Sequence, residues 1–131
     1  MKITEIKTNE YAIYDIDERA IVTKNLEGDI AFTCISSELL KAGVARNLSN
    51  ENLDKFFDEF GLKNATKPIS VRILGGDTCE ESKKACHRLI KRLQYYDGER
   101  NVIDIIAFDV REKIHPNSFV FSCSSGFITA L

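Results

Sequence analysis

The stretch Ile21–Ser49, IVTKNLEGDIAFTCISSELLKAGVARNLS, decides how this chain is read. It holds three short apolar runs joined by tight polar connections. Ala20 to Thr23 (AIVT) leads into a turn at Asn25 to Gly28. Beyond that turn, Ile30, Phe32 and Cys34 alternate with Ala31, Thr33 and Ile35, so both sides of the run are mostly apolar. A strand covered by protein on both faces has this composition. Leu39 to Leu48 predicts a third strand, with Gly43 marking a bulge or a close approach.

Working outward, Tyr11 to Ile16 predicts a strand that turns at Asp17-Glu18-Arg19 into Ala20 to Thr23. Downstream, Asn50 to Phe60 predicts a helix. Ser49 or Asn50 can cap it, Glu51 and Asp54 suit its positive end, and Gly61 is placed to stop it. Leu53, Phe56, Phe57 and Phe60 fall on one face at helical spacing, as core residues do.

Pro68 precedes the strand Ile69 to Leu74, which ends in Gly75-Gly76. Thr78 and Glu81 then have capping-box spacing for a second helix that reaches about Tyr96. Its inner face takes Cys79, Ser82, Cys86, Leu89, Ile90 and Leu93. Its outer face carries Lys83, Lys84, His87, Arg88, Lys91 and Arg92, either a solvated surface or a basic contact surface. Strand, double glycine and helix start resemble a phosphate cradle, but the G-x-G-x-x-G and P-loop patterns are absent. Val102 to Val110 is a β-branched strand, and Ser118 to Cys123 with Phe127 to Ala130 predicts a hairpin about Ser124-Ser125-Gly126. Two helices among many strands predict an α+β domain of layered mixed sheets. With no internal repeat or low-complexity linker, residues 1–131 are expected to be one domain.

Composition narrows the function classes. Across 131 residues, 44% are hydrophobic and 29% charged, and the formal net charge is −2. This is globular composition, and it supplies no overall field to attract nucleic acid or anionic lipid. No apolar run approaches the roughly 18 to 20 residues that span a bilayer. MKITEIKTNEY lacks a signal-peptide core, so the expectation is a cytoplasmic protein without membrane insertion.

Cys34, Cys79, Cys86 and Cys123 include no C-x-x-C pair, and with only His87 and His115 no metal site is expected. No motif calls for a cofactor. A cysteine hydrolase would need a thiolate beside a base. Cys34 is the one cysteine in the central stretch, and His115 or His87 would have to reach it through the fold.

Several segments, taken in order, resemble the chemoreceptor glutamine deamidase family (CheD) over nearly the whole chain. Glu10-Tyr11-Ala12-Ile13 is similar to that family's opening strand. Ile21-Val22-Thr23 precedes the turn that in the family ends in Gly-Ser-Cys and supplies the nucleophile. Ala42 to Leu48 (AGVARNL) is similar to the family's Gly-Gly-Met-Ala-His-Phe-Met-Leu segment, which supplies the catalytic histidine. Val71 to Gly76 (VRILGG) resembles the strand and double glycine before the family's long helix. Asp109-Val110 and the Phe119-to-Ile128 hairpin resemble its C-terminal end.

The resemblance implies a deamidase fold with a cysteine–histidine dyad. Carried over without a gap, the nucleophile position falls on Asp29 and the histidine position on Arg46, with Thr23 matching a threonine beside the dyad. Opposite charges would then stand where thiol and imidazole met, and arginine, protonated at physiological pH, cannot act as a general base. The resemblance therefore implies a non-catalytic relative that binds a protein, in a setting like chemotaxis signalling. The alternative is an active cysteine amidohydrolase using Cys34 with His115 or His87.

Overall fold

A computed structural model describes residues 2–110 and 117–131. Its elements are β1 (Ile3–Glu5), β2 (Glu10–Asp15), β3 (Ala20–Thr23), β4 (Ile30–Ser36), β5 (Lys41–Arg46), α1 (Asn50–Phe60), β6 (Ile69–Gly75), α2 (Glu80–Asp97), β7 (Ile103–Val110), β8 (Phe119–Ser122) and β9 (Ile128–Ala130). A single 3₁₀ turn, Leu62–Asn64, follows α1. The strands form two mixed sheets, a five-stranded one in the order β2-β5-β4-β6-β7 and a four-stranded one in the order β1-β3-β8-β9. The fold is α+β, with the larger sheet between the helices and the smaller sheet.

That layering explains why β4 is apolar throughout. It lies between β5 and β6 in the large sheet. Ile30, Phe32 and Cys34 point into the core shared with the helices. Ala31 and Ile35, on the opposite face, point into the core shared with the small sheet. Side chains alternate along a strand, so one short run serves both cores.

Helix α1 forms as its local signals direct. The Ser49 side chain accepts from the Asn52 amide, and Gly61 ends the helix in the left-handed region at φ 88°. Leu53, Phe56, Phe57 and Phe60 are buried. The Phe56 ring meets Phe32 edge-on, with centroids 5.1 Å apart. It also lies against Gly43, where an added Cβ would come within 3.2 Å of the Phe56 ring and 3.0 Å of the Ala12 carbonyl. Gly43 is thus a point of close approach, set in regular pairing opposite Cys34.

Several expectations are corrected. The third strand is shorter than Leu39–Leu48, because residues 37–40 make the turn from β4 into β5. Asp54 does not serve the positive end of α1 but reaches across to α2. Cys79, rather than Thr78, caps α2: its Sγ accepts from the Ser82 amide at 3.4 Å. Cys79 is therefore exposed and does not join the inner face. The Ser82 hydroxyl is occupied in turn, accepting from the Asp77 amide at 2.8 Å.

The double glycine serves the turn itself. Gly75 and Gly76 have φ of 96° and 82°, and the Gly76 amide donates to the Asp29 carbonyl. The Asp77 carboxylate accepts from the Cys79 amide, and the Cys79 side chain first, then that amide, hold it below the usual carboxylate range. With these amides committed and a carboxylate beside them, the turn is no phosphate cradle.

Two pairings escape short-range patterning. Strand β1 pairs parallel with β3, and β7 pairs parallel with β6 across the α2 crossover. No described helix is long and apolar enough to cross a membrane.

Candidate functional site

Four segments converge at one end of the sheets: the β1–β2 loop, the end of β3 with the loop after it, the start of β4, and the end of β5. Arg46 is the last residue of β5, and only 8% of it is exposed. Its Nε donates to Asp29 Oδ2 at 2.8 Å. Its Nη1 donates to Thr23 Oγ1 at 3.0 Å and to the Lys24 carbonyl at 2.7 Å, and its Nη2 donates to the Asn25 carbonyl at 2.9 Å. Four of the five guanidinium N–H donors are thereby satisfied.

The acceptors are held in place from behind. Thr23 is fully buried and donates its hydroxyl proton to the Ile6 carbonyl at 3.0 Å. Thr8 donates to the same Asp29 oxygen that Arg46 reaches, at 2.5 Å. Asn25 and Glu27 adopt positive φ, 54° and 52°, a conformation asparagine tolerates better than most residues. The loop so formed turns the Lys24 and Asn25 carbonyls onto the guanidinium. An open cavity of about 390 Å³, bordered by Ile6, Lys7, Thr8, Lys24 and Asn25, leads to Arg46.

The structure thus brings together Thr23, Asp29 and Arg46, three positions picked out by the deamidase resemblance. The chemistry of the cluster is that of a lock. The carboxylate is paired and doubly hydrogen-bonded, so it is a poor nucleophile toward an unactivated amide, and the guanidinium holds its proton. Thr8 and the two loop carbonyls were missed in the sequence. Their only local signal is the Asn25–Gly28 turn, which marks a bend but not its direction.

Cys34 lies elsewhere. It is fully enclosed in the core between β4 and the helices, and burial pushes its thiol well above the ordinary range. A thiol kept protonated and enclosed in this way is a poor nucleophile toward an amide. His87 is exposed on the outer face of α2, while His115 lies outside the described residues. Among the described residues, no group of three His, Cys, Asp or Glu side chains is arranged to hold a metal.

The basic face of α2 is committed within the fold only at Arg88 and Arg92, its exposed lysine pairs being weak. Lys83 and Lys84 pair with Glu80 and Glu81. Arg88 donates to the Leu48 carbonyl, and Arg92 pairs with Asp54. Lys83, Lys84, His87 and Lys91 all stay at the surface.

Fold and site together define a class: a three-layer α+β domain with an arginine–aspartate lock at the rim of its two sheets. No family model matches the chain. It is 40% identical over 63 residues to the uncharacterized protein RC0132 of Rickettsia conorii (strain ATCC VR-613 / Malish 7), covering 48% of this chain and 84% of that protein. The chain belongs to one family with that protein.

Proposed function

We propose that this chain is a non-catalytic, cytoplasmic relative of the chemoreceptor glutamine deamidases that acts by binding a protein, in signalling of the chemotaxis type. The observation that carries the reading is the 2.8 Å ion pair between Asp29 and Arg46. These are the positions at which the resemblance puts nucleophile and base. Thr23, matched to the threonine beside the dyad, completes the cluster at 3.0 Å from Arg46. Charge pairing replaces acid–base chemistry there, and the cavity beside it leaves an accessible surface of Lys7, Thr8 and Lys24 for contact.

The active alternative requires Cys34 as nucleophile, and its enclosure in the core disfavours that role. The test uses a cytoplasmic chemoreceptor fragment with its glutamines intact, followed for binding by calorimetry and for ammonia release in the same sample. The expected result is saturable binding with no ammonia above a protein-free blank. Ammonia release would overturn the non-catalytic reading, and absence of binding would overturn the receptor-type partner.

A further inference from the structure

Helix α1, the 3₁₀ turn after it and the C-terminal half of α2 surround a cavity of about 570 Å³, which shares no lining residue with the one beside Arg46. This is the size of many small-molecule sites. Phe57 and Leu62 come from the core to form its apolar wall. Tyr95 and Tyr96 make an aromatic corner, with ring centroids 5.6 Å apart at 68°. Tyr95 is 71% exposed, although a ring of that size is commonly covered in a folded protein.

The polar lining is mostly cationic. Lys55, Lys63, Arg92 and Arg100 stand against two lining carboxylates, Asp54 and Asp58, with Lys55 also paired to exposed Glu51 at 3.5 Å, in a chain whose net charge is −2. The Asp54 charge is already in use: it accepts from the Tyr96 hydroxyl and from Arg92 Nη2. Arg100 donates to the Leu62, Lys63 and Ala65 carbonyls and pairs with no carboxylate among the described residues. Lys63 and Asp58 approach only to 3.9 Å with both side chains largely exposed, so their mutual screening is weak.

Arg92 carries the most pointed signal. Its guanidinium lies over the Tyr95 ring at 5.2 Å and the Tyr96 ring at 5.9 Å. Its Nε is buried without a hydrogen-bond partner, a costly condition for a charged donor.

We infer that this cavity binds a small aromatic anion of about mononucleotide size, its ring stacked on Tyr95 and its charge facing Arg92, Arg100 and Lys63. Bare inorganic anions would leave the aromatic corner uncovered, and a neutral aromatic would leave the cationic excess uncompensated.

The experiment titrates the full chain with adenosine monophosphate, adenosine and inorganic phosphate, following backbone amides by ¹H–¹⁵N NMR. Tyr95→Ala and Lys63→Glu alter exposed side chains, and their amide spectra and thermal midpoints check that the fold is kept. The expected result is that the monophosphate shifts amides of residues 54–63 and 92–100, with adenosine and phosphate each binding more weakly. Tyr95→Ala should weaken the monophosphate roughly tenfold, the scale of one base–aromatic stack. Lys63→Glu should weaken it and reduce its salt dependence. Shifts located elsewhere, or binding unchanged in both variants, would overturn the proposal. So would capture of an acidic aromatic peptide by a chain that ignores the monophosphate.

Discussion

Arg46 and Arg92 each donate to an aspartate at 2.8 Å, but their side chains are 10% and 31% exposed. Around Arg46 four donors are satisfied, two of them by backbone carbonyls that a bent loop delivers. Around Arg92 a single nitrogen is engaged, another is buried without a partner, and aromatic rings take the place of acceptors. The same residue pair is built as a closed fastening at one site and as the wall of an open cavity at the other. What differs is the number of backbone acceptors the topology brings to each guanidinium. A charge buried among fixed acceptors stabilises a single arrangement, whereas a half-exposed charge over aromatic rings is free to meet a ligand.

The largest expected effect concerns the core between the large sheet and the helices, which underlies the open cavity. Native-state alkylation at neutral pH should modify exposed Cys79 readily. Cys34, enclosed beneath the helices, should react more than about 10³-fold slower, because exposing it requires opening a structure with a stability of several kcal/mol. Mass mapping of the first modified cysteine checks this. Fast reaction at Cys34 would mean that the core beneath the open cavity is itself accessible and would revive the cysteine-hydrolase alternative.

Next in size, Arg46→Ala should destabilise the fold by about 3 kcal/mol, since it strands Asp29 and two loop carbonyls. Urea unfolding measures this loss. A double-mutant cycle with Asp29→Ala should return a large coupling that is nearly independent of salt, whereas the more exposed Arg92–Asp54 pair should couple weakly and fade with salt. Equal couplings would break the contrast between the two sites.

The smallest effect is Tyr96→Phe, which removes a donor to Asp54 and should cost about 1 kcal/mol. It also carries a pH signature. Burial first, then the hydrogen bond to Asp54, raises the Tyr96 hydroxyl above its ordinary range. The stability contributed by keeping it neutral is therefore present in full below the ordinary tyrosine value of about 10. It is lost as pH climbs from there through the folded-state value. Tyr11 adds to the same alkaline slope, pushed up to about 12 by burial and then by its hydrogen bond to Glu59. Thermal midpoints above pH 10 should fall less steeply in Tyr96→Phe than in the parent chain.

Local order was open to reading because it rests on short-range physics. Periodicity placed β4 and the aromatic face of α1, while Ser49 and Gly61 bounded that helix through bonds to neighbours a few residues away. The hairpin of β8 and β9 follows from its turn, where Gly126 takes φ 75°. Capping failed only at α2, where Cys79 and Ser82 supplied the bonds assigned to Thr78 and Glu81.

The chain by itself thus determined both helices and every strand but the short β1, together with the apolar faces of β4 and α1. Only the tertiary structure decided neighbours and exposure. IAFTCIS and IDIIAFDV are both apolar β runs, yet β4 is covered on both faces while β7, at the sheet edge, leaves Ile105, Ile106 and Phe108 exposed. Asp29 and Arg46 are 17 residues apart, and Asp54 and Tyr96 are 42 apart. Periodicity extends over a few residues, but contacts at such separations exist only when strand order and crossover bring distant segments together, and those depend on how the whole chain buries its two cores.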